Sequence, residues 1–344
     1  MANQSFKIGL TRDLLNGAGE PSFGVPALEV LTQALGIEWE FIPESVTAIT
    51  PELTARYDAI YVNTPRVGAD AFGADAPRAK IIARHGVGYD SVDVPAMTAR
   101  GVLVTNTPVA VRRPVATMAM TFVLALAQKL MIKDRLTRTG GWNRRNDHMG
   151  QGLTGKTLGL IGAGSIGLET MRMARVFDMR MLASDPFGDA QAVAVAGGTL
   201  VSLDALLAQS DFVIIVCLLN ADTRHLVDAA RLRAMKPGAY LINVARGPIV
   251  DEAALIRALQ DGTIAGAALD VFEQEPVASE NPLLAMDNVI VTPHSLCWTD
   301  ECFDAIARSG LGAIVDTLAH RVPQHLVNRD VLMHDDVRRW FPPH

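Results

Sequence analysis

Short β-branched and apolar runs alternate along this chain with stretches whose apolar positions recur every three to four residues. The runs at 7–10, 37–41, 59–62, 80–83 and 102–104 predict strands, and helical patterns such as 27–35 and 92–99 fall between them. The rhythm then repeats. Strands are predicted at 157–161, 180–184, 212–216, 240–244, 266–269 and 289–292, with helices at 166–177, 203–208, 228–235 and 252–260. Strands that read as unbroken apolar runs belong to parallel sheets covered by helices on both faces. Two such arrays imply two α/β domains, which suits a length of 344 residues.

Between the arrays, Asn106-Thr107-Pro108 breaks the pattern, and an apolar helix is predicted over 115–130. The polar stretch 139–152 reads as a surface loop. After Pro293, Thr299 is placed to cap a final helix over 300–318, whose first turn carries Asp300 and Glu301. The longest uncharged stretch, 114–128, falls short of the roughly 20 apolar residues that a membrane span needs, so it predicts a buried helix and no membrane partner.

Composition adds little and excludes something. Apolar residues make up 49% and charged residues 20%, as in a globular protein with a filled core. A net charge of −6 without a basic run argues against a nucleic-acid partner. Residues 1–10 lack the apolar core of a secretory signal. The three cysteines, Cys217, Cys297 and Cys302, show no metal-ligand spacing, so no metal site is expected and a reducing, cytoplasmic setting is. Cys297 and Cys302 could meet on one helical turn, although small buried residues are the simpler reading.

Candidate chemistry begins at Gly162-Ala163-Gly164-Ser165-Ile166-Gly167, which follows the strand 157–161 and opens a helix. In that context the first glycine permits a tight turn, the second lets the backbone approach a pyrophosphate, and the third lets helix and strand pack closely. Amides at the helix start face the phosphates. The next strand ends at Asp185, 18 residues beyond Gly167, where an acid accepts hydrogen bonds from ribose hydroxyls. A carboxylate there repels a 2′-phosphate and neither Pro186 nor Phe187 offers a cation, so NAD is expected, with NADH preferred over NADPH.

Three further segments follow predicted strands: Asn243-Val244-Ala245-Arg246-Gly247, the run from Leu269-Asp270 to Glu275-Pro276, and Thr292-Pro293-His294-Ser295. Open parallel sheets place their ligands at such positions. Arginine offers a planar fork of donors to a carboxylate. Histidine titrates near neutrality and moves protons, and a neighbouring carboxylate orients its ring. Taken singly, Arg246 also reads as a surface or capping residue, Glu275 as a turn acid and His294 as a buried, hydrogen-bonded histidine. Their combination downstream of a dinucleotide motif favours chemistry.

These segments, with Gly155-Lys156-Thr157-Leu158-Gly159-Leu160-Ile161-Gly162 and the spacings of 29 and 19 residues between Arg246, Glu275 and His294, resemble the D-isomer-specific 2-hydroxyacid dehydrogenases over nearly the whole chain. The resemblance implies two Rossmann-like, doubly wound parallel-sheet domains. Residues 1–107 and 295–344 would form a discontinuous substrate domain, and 108–294 the NAD-binding domain. It implies reduction of a small 2-keto acid, with glyoxylate or hydroxypyruvate as the leading substrates. Arg246 would bind the substrate carboxylate and polarise the 2-keto oxygen. His294 would be the acid/base, and Glu275 would fix its tautomer and raise its pKa. Asp270 would sit by the carboxamide, Val244 and Ala245 would line the nicotinamide, and Cys217 would lie along the dinucleotide. Gly86-Val87-Gly88-Tyr89-Asp90 resembles the family's substrate loop, with the amides of Val87 and Gly88 as carboxylate donors.

The chain also departs from the family. Thr117 stands where a glutamate is usual, and Arg112 and Arg113 where neutral residues are more common. With Arg66, these arginines are either solvated or available to a second acidic group on the substrate. Family members commonly form homodimers through the region 115–130, although that helix could equally be buried within one subunit. The tail 333–344, with Trp340 and Phe341, could dock on the first domain or on a partner. A second functional class also stays open. Cys217-Leu218-Leu219-Asn220 slightly resembles an NAD-sensing, non-enzymatic corepressor branch that binds other proteins.

Overall fold

The computed structural model describes residues 5–74 and 77–341. The chain divides into two compact units, Met1–Val111 with Trp298–His344, and Arg112–Cys297.

The first unit holds strands β1 (Phe6–Leu10), β2 (Ile37–Phe41), β3 (Ala59–Val62), β4 (Ile81–Arg84) and β5 (Leu103–Thr105) in the order β2-β1-β3-β4-β5. Every pairing is parallel, with Ile8 opposite Ala59 and Ile60 opposite Ile82. β3 is buried at all four positions, which is why it reads as an unbroken apolar run. The helix Asp300–Leu318 begins where Thr299 accepts a hydrogen bond from the Cys302 amide. It lies close on the sheet at Gly310, where a Cβ would stand 2.5 Å from the Tyr61 ring. Further along, the Asn328 side chain accepts from the Val104 amide at 2.8 Å and donates to the Val102 carbonyl at 2.9 Å, so it satisfies the outer edge of β5. Trp340 docks on this same unit. Its indole N–H donates to the Thr317 carbonyl at 2.8 Å and its ring meets Phe6 edge-on. Residues 342–344 of the tail lie outside the described residues.

The second unit holds β6 (Thr157–Ile161), β7 (Arg180–Ser184), β8 (Gly198–Leu200), β9 (Phe212–Ile215), β10 (Tyr240–Asn243), β11 (Gly266–Leu269) and β12 (Val289–Val291). Their order is β12-β11-β10-β9-β6-β7-β8, parallel throughout. The order reverses at β6, between β7 and β9. A crevice at the carboxyl ends of the strands beside such a switch point is where open sheets bind their ligands. The core packs Leu206, Val213, Leu241, Leu255 and Ala267 around the sheet. Both units are thus α/β with doubly wound parallel sheets, as the strand and helix pattern predicts.

Two local expectations fail. The helix predicted over 115–130 runs instead from Arg112 to Ala127. At Lys129 the backbone turns left-handed (φ 51°) and a second helix, Leu130–Arg138, leaves at 59°. Leu130 extended the apolar pattern but is 54% exposed. The helix predicted over 27–35 shrinks to a short 3-10 turn and Glu29–Thr32, because Leu35 faces solvent and Gly36 turns the chain. Cys297 lies before the final helix, so it does not share a turn with Cys302. Among the described residues, no single helix is long and apolar enough to cross a membrane.

Candidate active site

Each candidate residue of the second unit stands just past the end of a strand. Gly162 follows β6. Its backbone is left-handed (φ 112°), and a Cβ there would stand 2.8 Å from the Cys217 amide nitrogen. A Cβ on Gly167 would stand 2.4 Å from the Gly162 carbonyl oxygen, so the helix Ser165–Ala174 can close on the strand only through glycine. A Cβ on Gly164 would meet nothing within 4 Å, so its backbone, with Ser165 and Ile166 at the helix start, is open to a ligand. Asp185, past β7, accepts from the Ala163 amide at 2.8 Å and the Phe187 amide at 2.9 Å. The acid is therefore fixed against the glycine loop. A cradle closed to side chains on two sides, open on the third and rimmed by a carboxylate fits a dinucleotide. Cys217 lies beside it, and burial pushes its thiol up to about 11, so it stays neutral.

Past β10, Asn243 shapes the arginine loop. Its side chain accepts from the Ala245 amide at 3.1 Å and donates to the Arg246 carbonyl at 2.9 Å. The Arg246 guanidinium donates to the Ala245 carbonyl at 2.8 Å. Gly247 then packs its bare Cα against the next loop. Past β11, the buried Asp270 accepts from the Thr292 hydroxyl and from the amides of Ser295 and Leu296, both at 3.1 Å. Burial pushes its carboxyl up, against the pull of those three donors. One carboxylate therefore fixes both sides of the turn that carries His294.

His294 itself adopts a left-handed backbone (φ 53°), which is uncommon for a residue with a Cβ and is held here by the Asp270 bonds. Its Nδ1 lies 2.7 Å from Glu275 Oε2, while Glu275 Oε1 accepts from the Phe272 amide at 2.9 Å. Burial alone would raise the Glu275 carboxyl. The His294 bond, the Phe272 amide and the charges of His294 and Arg246 outweigh it and hold the group below its usual range. An ionised carboxylate thus accepts from Nδ1–H, which leaves Nε2 as the nitrogen able to exchange a proton.

The first unit carries the loop after β4. Gly86 is left-handed (φ 123°) and its carbonyl accepts from the Thr107 amide at 3.0 Å, while the Asn106 side chain donates to the Val87 carbonyl at 2.8 Å. Beneath it, His85 is buried against Tyr61, whose hydroxyl lies 2.6 Å from Nδ1, and burial pushes its pKa down to about 3. Two of the three unassigned arginines have carboxylate partners within their own unit, Arg66 with Asp70 and Arg113 with Glu169. Arg112 adds its charge beside Glu169. Among the described residues, no His, Cys, Asp and Glu cluster is arranged to hold a metal ion. Sequence reasoning missed Asn243 and Thr292 as positioning groups, although both lie inside segments it singled out. It also missed His225, which no local pattern marks.

The model of the D-isomer specific 2-hydroxyacid dehydrogenase NAD binding domain matches residues 120–295. A glyoxylate reductase of Thermofilum pendens is 40% identical over 274 residues, 78% of this chain and 80% of that protein. One from Pyrococcus horikoshii is 34% identical over 334 residues, 95% of this chain and 97% of that protein. The crystal structure of a glyoxylate reductase from Paecilomyes thermophila superposes with a TM-score of 0.79 at 29% identity, covering 94% of this chain and 98% of that one. The chain belongs to the D-isomer specific 2-hydroxyacid dehydrogenases. It is an oxidoreductase that acts on small 2-hydroxy or 2-keto acids with a nicotinamide cofactor.

Proposed function

We propose that the chain reduces glyoxylate or hydroxypyruvate with NADH, and that Arg246, Glu275 and His294 are its catalytic residues. The observation that carries this reading is the 2.7 Å pair between His294 Nδ1 and Glu275 Oε2. The bound nicotinamide supplies the hydride that reaches C2 of the keto acid. Arg246 binds the substrate carboxylate and polarises the keto oxygen, which needs the planar double donor that lysine lacks. His294 gives its Nε2 proton to that oxygen, and Glu275 stabilises the imidazolium before transfer and holds the ring after it. Preorganised donors of this kind act where charge develops, so little reorganisation is needed during the reaction.

The remaining roles follow the same reading. The backbone amides of Val87 and Gly88, on the first unit, are further carboxylate donors, and that unit is the substrate domain. Gly162, Gly164, Ser165, Ile166 and Gly167 hold the pyrophosphate and Asp185 the ribose. Asp185 also favours NADH over NADPH, because a 2′-phosphate would meet its charge. Cys217, Val244, Ala245 and Asp270 line the cofactor. A homodimer is part of the proposal. Leu130, Met131, Trp142 and Met149 are all more than half exposed on the second unit and offer apolar surface for a second copy to cover. The thiol state of all three cysteines suits a cytoplasmic setting.

The test is steady-state NADH oxidation with glyoxylate, hydroxypyruvate, pyruvate and phenylpyruvate, in the wild type and in His294→Asn. The variant is expected to lose turnover by roughly 10²–10⁴-fold while binding NADH nearly as before. Turnover at the wild-type level in His294→Asn would remove the catalytic assignment. A clear preference for phenylpyruvate would remove glyoxylate and hydroxypyruvate.

A further inference from the structure

Two loops of the second unit carry the proposed chemistry, one with Arg246 after β10 and one with Glu275 after β11. A third segment, between β9 and the helix Ala229–Ala234, touches both through His225. The His225 amide donates to the Pro248 carbonyl at 2.8 Å, two residues past Arg246. Its imidazole Nε2 lies 2.7 Å from Glu273 Oε1, two residues before Glu275. The backbone pairing continues from Val227 to Ile249 at 3.0 Å, so the contact with the arginine loop is a short strip and not a single bond.

Glu273 is itself doubly engaged. Its amide donates to Glu252 Oε2 at 3.0 Å, and the Glu252 amide returns a bond to Glu273 Oε1 at 3.3 Å. Asn281 donates to the other Glu252 oxygen at 2.7 Å. Two carboxylates are thereby drawn together, and the His225 imidazole is in direct contact with Glu273. His225 also keeps a left-handed backbone (φ 51°), uncommon outside glycine although histidine adopts it more readily than most residues. Gly247 lets the two loops approach within backbone contact, and His225 ties them where they meet.

We propose that His225 is a positioning residue for the reaction, a strut that fixes the Glu275 loop against the Arg246 loop. It touches neither the glycine loop nor Asp185 in any of these bonds, so its effect falls first on the proton-transfer geometry. This inference rests on the reading of Arg246, Glu275 and His294 as the catalytic set.

The test uses His225→Asn, because asparagine tolerates a left-handed backbone but its side chain is too short to reach Glu273. On the full-length enzyme, kcat for glyoxylate should fall roughly tenfold, as small misplacements of catalytic groups do. KM for NADH should stay within about twofold, since the His225 side chain bonds to Glu273 and not to the glycine loop or Asp185. Glu273→Ala, which leaves the His225 backbone untouched, should lose a similar factor. The double variant should lose no more than Glu273→Ala alone, which removes the same tie together with the acceptor for the Glu252 amide. Glu273→Gln keeps an acceptor for the imidazole N–H and should retain most of the activity. A normal kcat in His225→Asn beside an inactive His294→Asn would overturn this inference alone. Losses that multiply in the double variant, or a lowered Tm with unchanged kcat, would also overturn it. If His294→Asn itself turned over normally, the catalytic reading and this inference would fall together.

Discussion

Replacing Gly247 with alanine puts a methyl group where the backbone of the neighbouring loop already stands. The added carbon would lie 1.9 Å from both the carbonyl carbon and oxygen of Phe272, and 2.4 Å from the Glu273 nitrogen. Non-bonded heavy atoms settle near ~3.5 Å, so the Arg246 and Glu275 loops must part by about 1.5 Å. The obstacle is backbone, so no side chain can rotate away. Overpacking of this kind costs roughly 1–3 kcal/mol, which for a unit of this size lowers Tm by several degrees. The kinetic cost should be larger. A misplacement of about 1 Å at a catalytic group costs ~10²-fold, so kcat/KM for glyoxylate should fall by about that factor. NADH oxidation followed by absorbance, with scanning calorimetry on the same samples, measures both. Gly312→Ala is the control. A Cβ there meets nothing within 4 Å inside the helix Asp300–Leu318, so stability should hold or rise by up to ~1 kcal/mol. If Gly247→Ala kept kcat/KM within threefold of wild type at an unchanged Tm, the argument that these loops must touch would be wrong.

Acid should destabilise the first unit through His85. Burial lowers its pKa from 6.5 to about 3, so between those values the unfolded chain binds a proton that the native state refuses. Its contribution is complete above pH 6.5 and is lost as pH falls, by about 1.4 kcal/mol per unit and therefore ~2 kcal/mol by pH 5. Urea unfolding of wild type and His85→Gln at pH 7 and pH 5 tests this, and an equal pH dependence in both would refute it. Asp185→Asn keeps one oxygen, enough for only one of the Ala163 and Phe187 amides, while losing the charge, and should cut the preference for NADH over NADPH about tenfold. An unchanged ratio of kcat/KM values for the two cofactors would deny Asp185 that role.

The parallel strands were legible because burial on both faces leaves no polar alternation, as in β3 and β9. β8 was not. It is an edge strand with one neighbour, and its Gly-Thr-Leu sequence is only half-buried. Helix ends were misplaced where exposed apolar residues, Leu35 and Leu130, extended a pattern that the backbone had already abandoned. Within the candidate site, residues of unusual chemistry at strand ends could be picked out singly. The ties among them could not be. The His225–Glu273 pair, the contact of Gly247 with Phe272 and the three bonds to Asp270 join segments from different strand-to-helix connections. Such ties exist only once β9 to β12 lie side by side.

The way the first unit is assembled from two stretches of chain bears on its synthesis. The Asp300–Leu318 helix supplies Ile306, Leu311 and Ile314 to its interior, and Asn328 satisfies the edge of β5. All of these residues leave the ribosome after the entire second unit has been made. The nascent first unit must therefore wait with its sheet partly uncovered while the later-made unit is already complete. Chains that emerge in order usually fold their leading domain first. In this chain the leading unit cannot complete its core until its last residues are made, and its early strands depend on late residues for their shelter.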